Sequence, residues 1–183
     1  MVWGGCYPRV PLYSLCQYVE WSNVASLVPD GSIVLLSPDN HPTRVVLSDH
    51  METLKNGLLI VGGNDAVDPE TGQQGRTGWV AVHCRRDGQN VTPPVTAYHD
   101  DLRGSKEKLP TELDCVDLAK AGQPQVLATN LLVGQMMSVL LHRYLTMPLR
   151  QAAEVVEICV DSSSVEVGSY GIRERHLSTI FSS

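Results

Sequence analysis

The stretch GSIVLLSPDNHPTRVVLSDHMETLKNG, Gly31 to Gly57, and the LLIVGGND that follows it limit the possible folds of this chain more than any other segment. Ser32 to Leu36 reads as a continuous, mainly apolar strand of the kind buried inside parallel sheets. Pro42 suits the first turn of a helix running from about Pro42 to Lys55. Leu47, Met51 and Leu54 fall on one face of that helix, and Gly57 suits its C-terminal cap. Leu58 to Val61 is a second short strand, closed by Gly62-Gly63-Asn64-Asp65. A strand, a helix and a strand within about thirty residues form the smallest unit of a doubly wound α/β sheet. Two strands joined in this way lie parallel.

The remaining elements follow from punctuation and periodicity. Leu12 to Val28 is predicted to be a helix, ended by the turn Pro29-Asp30-Gly31. Trp79 to Cys84 alternates as a third strand, reached through a loop holding Gly72, Gly75 and Gly78. Arg85 to Gly122 is polar and punctuated by prolines, long enough to be functional or mobile. Val126 to Leu145 is apolar enough to bring a membrane span to mind. Asn130, Gln135, His142 and Arg143 interrupt it and mark a core helix, buried on more than one face by the sheet or by a second copy of the chain. Val155 to Val160 and Val165 to Val167 flank Asp161-Ser162-Ser163-Ser164 as a hairpin. The expected fold is therefore α/β: a sheet with flanking helices, its first part parallel and its later strands antiparallel, in one domain over 1–183.

Charge and cysteine usage narrow the function classes. A formal net charge of -6 argues against a general nucleic-acid binder, since phosphate contacts need clustered Lys and Arg. Arg85-Arg86 and Arg173/Arg175 are the only basic concentrations, and they read as solvated surface. Trp3, Tyr7, Arg9 and Glu20 break any apolar signal region near Met1. Cys6, Cys16, Cys84, Cys115 and Cys159 are odd in number and scattered, and they never form C-x-x-C. A disulfide framework or zinc site is not indicated, and a reducing cytoplasm is the expected compartment.

Parallel sheets place ligands at the carboxyl ends of their strands, beside helix N-termini. Asp39 and Asn40 stand at such an end, with Arg44 one turn into the helix. A carboxylate there can hold Mg²⁺ together with phosphate oxygens, and an asparagine can read a ribose or a phosphate. The simpler role for either residue is to cap the helix. Cys84 and Cys159 lie in apolar strands and read as core. His99-Asp100-Asp101 is too local to form a metal site or a nucleophile's base, because adjacent side chains on a loop point apart.

The phrase SPDNHPTR, the GG strand end, the strand opening at Gly78-Trp79-Val80 and the helix phrase GQPQVLATNLLVGQMMSVLLHRYL resemble the ThiF/MoeB/HesA family. These are the adenylyltransferases related to ubiquitin-activating enzymes, and the likeness covers roughly Leu27 to Gly168. It implies a Rossmann-like fold that adenylates the C-terminal glycine of a ubiquitin-like or sulfur-carrier protein, with ATP and Mg²⁺ as cofactors. It assigns Asp39 to the Mg²⁺-ATP site, Asn40 to the same pocket and Arg44 to the motif arginine, structural or pocket-lining. Cys115 falls in the crossover region where thioester-forming relatives place their acyl acceptor. The family's G-x-G-x-x-G loop has no counterpart here: only Gly4-Gly5 precedes Asp39, and no lysine precedes Lys55. The resemblance therefore corresponds to the C-terminal portion of the catalytic domain, lacking the phosphate-loop half. The alternative is a non-catalytic dimeric interaction module on the same fold. A different Rossmann-like nucleotide binder is disfavoured by the missing glycine loop.

Overall fold

The structure, a computed structural model, describes residues 14–37, 40–65, 67–68, 72–97, 99–113, 126–164 and 166–171. One mixed sheet organises them. Its first strands are β1 (Ile33–Leu36) and β2 (Gly57–Asn64), joined by α2 (His41–Met51), which follows the short helix α1 (Val24–Leu27). A small hairpin of β3 (Val67–Asp68) and β4 (Gln73–Gln74) leads to the long β5 (Thr77–Arg86), which turns into β6 (Gln89–Asn90). After α3 (Asp101–Gly104) come α4 (Leu127–Thr146), α5 (Leu149–Ala152), β7 (Glu157–Asp161) and β8 (Glu166–Tyr170). The sheet order is β1-β2-β5-β7-β8, with β6 added to the end of β5. β1 and β2 are parallel, and every later pairing in this sheet is antiparallel. This is the parallel-then-antiparallel α/β sheet expected from the sequence.

The apolar run of β2 is continuous because the strand is covered on both faces. Leu59 and Val61 pack with α2 through Val46, Leu47 and Met51, while Leu58 and Ile60 pack with α4 through Val133, Met137 and Leu140. β5 divides in the same way, Ala81 on the α2 side and Val80, Val82 and Cys84 on the α4 side. The two glycines ending β2 serve one face each. A Cβ on Gly62 would stand 2.7 Å from the Met137 sulfur, and one on Gly63 would stand 2.7 Å from the Trp79 ring. Their bare backbone lets a helix approach on one side and an indole lie down on the other.

Four local expectations are corrected. The predicted helix from Leu12 to Val28 is confined, among the described residues, to Val24–Leu27. The Asn23 side chain accepts from the Glu20 N–H and donates to the Tyr18 carbonyl, a local bonding pattern that competes with helix. Gly57 does not cap α2, which ends at Met51 with Glu52 as its cap. Gly57 instead opens β2, and the Met51 methyl stands 2.6 Å from where its Cβ would be. The Asp30 carboxylate holds the connection by accepting the Lys55 and Asn56 N–H groups, each at 2.7 Å.

β1 was expected to be buried inside a parallel sheet, yet among the described residues it is an edge strand paired only with β2. Ile33 and Leu35 point toward the α4 side and are half exposed, because α4 lies over β2, β5 and β7. Finally, within one chain α4 buries a single stripe, Thr129, Val133, Met137 and Leu140, so the sheet and the C-terminal hairpin do not bury several of its faces. Leu127 and Leu131 on its outer surface are 72% and 65% exposed. No helix among the described residues is long and apolar enough to cross a membrane.

Candidate functional site

The carboxyl ends of β1 and β2, the start of β5 and the end of β7 share one end of the sheet. At that end Asn40 caps α2. Its side-chain oxygen accepts from the Thr43 N–H at 3.0 Å and from the Thr43 hydroxyl, and its amide donates to the Lys108 carbonyl at 3.1 Å. The simpler role is the one the side chain performs here. The next N–H of the helix, on His41, donates to a Glu107 carboxylate oxygen at 2.9 Å, and the His41 ring nitrogen Nδ1 lies 2.9 Å from the same oxygen. The positive end of α2, a ready anion site, therefore already carries a carboxylate of the chain itself.

Arg44 points inward from the first turn of α2 and is 4% exposed. One guanidinium N–H donates to the Gly62 carbonyl at 3.0 Å, and the group lies 5.2 Å from the centre of the Trp79 ring. A cation over an indole is attracted by the ring's quadrupole, so Arg44 ties α2 to β2 and β5. Asp39 and Cys115, assigned by the resemblance to Mg²⁺-ATP and to acyl acceptance, lie outside the described residues.

The chemistry that is in view lies beside Trp79. The His99 imidazole stacks on that ring with centroids 4.1 Å apart. His99 Nε2 is 2.9 Å from Oε1 of Glu157, a carboxylate with no exposed surface, and His99 Nδ1 is 4.0 Å from Asp101. A carboxylate so deep in the fold is tolerable only with a partner of this kind. Glu157, Cys159 and Asp161 line one cleft, which places them on the same face of β7, while Ile158 and Val160 face the α4 core. Across the sheet Cys159 is paired with Trp79, and Glu157 with Ala81 and Tyr170.

Asp65, Thr77, Trp79, His99 and Tyr170 complete that cleft, which measures about 400 Å³. The Thr77 hydroxyl donates to Asp65. The Ser163 hydroxyl and N–H hold the Asp161 carboxyl below its usual range.

Sequence reasoning missed the pairing of His99 with Glu157, which are 58 residues apart. It also placed Cys159 in the core; Cys84 is buried there, but Cys159 is half-buried at the cleft. A signal for both was available in VEICVD, Val156 to Asp161, where Glu, Cys and Asp alternate with Val, Ile and Val. A strand with one polar and one apolar face carries its polar groups to a surface. Comparison of the chain with family models, curated proteins and solved structures finds no match in any of the three.

Proposed function

We propose that the chain is the C-terminal, protein-binding portion of a ThiF-like adenylyltransferase fold, acting on the C-terminus of a ubiquitin-like or sulfur-carrier protein. The observation that supports this reading is the strand order. One parallel pair linked by α2 sits at the margin of the sheet, and the antiparallel strands β5, β7 and β8 extend away from it. The outer margin of β1, bare among the described residues, is where further parallel strands with a phosphate loop would join.

The described residues do not by themselves fit Mg²⁺-ATP. Asn40 is engaged with Thr43 and Lys108, Arg44 with Gly62, and Glu107 sits on the first turn of α2. No group of three or more metal-ligating side chains is found among them. In this reading Asp39 and an added phosphate-loop unit hold the nucleotide, and this chain supplies the carrier surface. We place the chain in a reducing cytoplasm, a reading supported by the odd, scattered cysteines and by Cys16, Cys84 and Cys159 forming no disulfide among the described residues.

Calorimetric titration with a ubiquitin-like carrier, without and with Mg²⁺-ATP, together with an ATP:pyrophosphate exchange assay, tests the proposal. The expected result is carrier binding together with no ATP:pyrophosphate exchange by the isolated chain. Absence of carrier binding under both conditions refutes it.

The second reading, a non-catalytic dimeric interaction module, is favoured by the outer face of α4. From Leu127 to His142 that helix carries no charged residue, and Leu127, Leu131 and Val139 are exposed. On a chain of net charge -6, such a face is where two copies can meet without repulsion.

A further inference from the structure

We propose that Cys159 is a nucleophilic thiol served by the His99–Glu157 pair, and that the cleft they share takes an electrophilic acyl group, such as an ester or thioester. This inference does not rest on the adenylyltransferase reading.

Four positions on one face of the sheet carry the argument. Trp79 and Cys159 are directly opposed across β5 and β7, and Ala81 and Glu157 are the next pair on that face. Directly opposed side chains have Cβ atoms about 4.5–5.5 Å apart, and Glu157 precedes Cys159 by two residues, roughly 7 Å along the strand. His99 stacks on one member of this quartet, Trp79, and bonds another, Glu157. Its imidazole therefore lies over the quartet, and the thiol lines the same cleft. A nucleophile, a base and a carboxylate that orients the base make the arrangement that activates a weak nucleophile in acyl transfer. Here Glu157 is a positioning residue. Having no access to water, it fixes the imidazole and stabilises the imidazolium that forms when His99 takes a proton.

The step balances without an added oxidant or cofactor. The thiol proton passes to His99, and the thiolate sulfur attacks the acyl carbonyl carbon. The S–C bond forms as the bond to the leaving oxygen or sulfur breaks. The proton then passes from His99 to the leaving group, and the acyl-cysteine is left for hydrolysis or onward transfer. Charges facing the thiol from the surrounding elements are mixed. His99, from the segment before α3, is the base that takes the thiol proton, and Arg44 of α2 lies beyond Trp79. Asp65 after β2 and Glu157 and Asp161 of β7 oppose a thiolate, Asp101 of α3 lies beyond His99, and Tyr170 of β8 borders the cleft.

The chain contains its own reference thiol, the exposed Cys16. Purified chain is labelled with iodoacetamide across a pH series, and each cysteine peptide is quantified by mass spectrometry. The expected result is a labelling midpoint for Cys159 at least one pH unit below that of Cys16. His99→Gln and Glu157→Gln should bring the two midpoints together. Para-nitrophenyl acetate should release nitrophenolate in a burst of about one per chain and leave acetyl on the Cys159 peptide, with the burst lost in Cys159→Ser. Glu157→Gln risks unfolding, so circular dichroism accompanies it, and the partly exposed His99→Gln carries the test if Glu157→Gln is unfolded. A Cys159 midpoint equal to that of Cys16, or one unmoved by His99→Gln, overturns the proposal. So does an acetylation burst that survives Cys159→Ser.

Discussion

Trp79 lies on Gly63 so closely that a Cβ built on the glycine would come within 2.7 Å of the indole ring. The ring has little room to retreat, because His99 is stacked on it and the Arg44 guanidinium lies close by. Gly63→Ala should therefore destabilise the chain by about 1–3 kcal/mol, the usual penalty of overpacking. Urea unfolding measures the loss. Near-ultraviolet circular dichroism should change with it, since the displaced ring is one of the chain's three tryptophans.

The cap on α2 gives a second, smaller effect. Asn40→Ala should cost about 1 kcal/mol, while Asn40→Ser should cost no more than a few tenths. Thermal melting of the pair of variants separates the cap from any ligand role. A residue that acts only on nucleotide would leave both melting curves unchanged.

Glu107 occupies the place an anion would take at the start of α2. Removing it as Glu107→Ala should strengthen the binding of a phosphate-bearing ligand at that helix end, roughly two- to fivefold on the usual scale of helix-dipole interactions. Calorimetric titration with Mg²⁺-ATP, with the phosphate-loop unit present, reads the change. A weaker affinity in the variant would make Glu107 part of the binding site rather than its occupant.

His83 gives the stability a direction in pH. Its side chain is fully buried, with Nε2 at 3.1 Å from both Glu52 and Asn90. Burial pulls its pKa below the ordinary value of 6.5, with the Arg85 charge adding to the effect and Asn90 and Glu52 opposing it. The unfolded chain thus takes up a proton near pH 6.5 that the folded chain accepts only at lower pH. Stability is undiminished above that point, falls as pH drops below it, and levels off once folded His83 is itself protonated. Asp30, held low by the N–H of Asn56, adds a loss at still more acid pH. Denaturant titrations between pH 8 and 5, for the chain and for His83→Gln, should show the slope flattened in the variant.

The apolar face of α4 predicts a mass of two chains in sedimentation at micromolar concentration. Leu131→Glu, at a position 65% exposed, should return the mass to one chain with little effect on the melting temperature. A single-chain mass before any substitution would leave that face without a homotypic role.

The elements buried on both sides were the easiest to read in the sequence. β2 announces itself as an apolar run, β5 by its alternation, and α2 by Pro42 and its apolar spacing. Position within the sheet was not legible. Ile33 to Leu36 has the composition of a central strand, and nothing local to it records that α4 stops short of its face. Asn23 shows the same limit at short range, because its side chain overrides the helical spacing around it. Of the site, Asn40 and Arg44 were found by their place in the motif, but their directions were not. Asn40 turns back into its own helix and Arg44 turns into the protein. The His99–Glu157 pair depends on a loop returning across β5 to β7, a contact that no spacing along the chain encodes.

The outer margin of β1, unpaired among the described residues, bears on how the molecule behaves in concentrated solution. Ser32 to Ser37 contains no charge and no proline, two of the devices by which natural sheets discourage further strand addition. Half-exposed Ile33 and Leu35 give an incoming strand something apolar to bury. Left uncovered, this margin is a template for indefinite edge-to-edge growth. The isolated chain should keep best when that edge is occupied, or when Ile33→Lys introduces a charge that a second strand cannot bury.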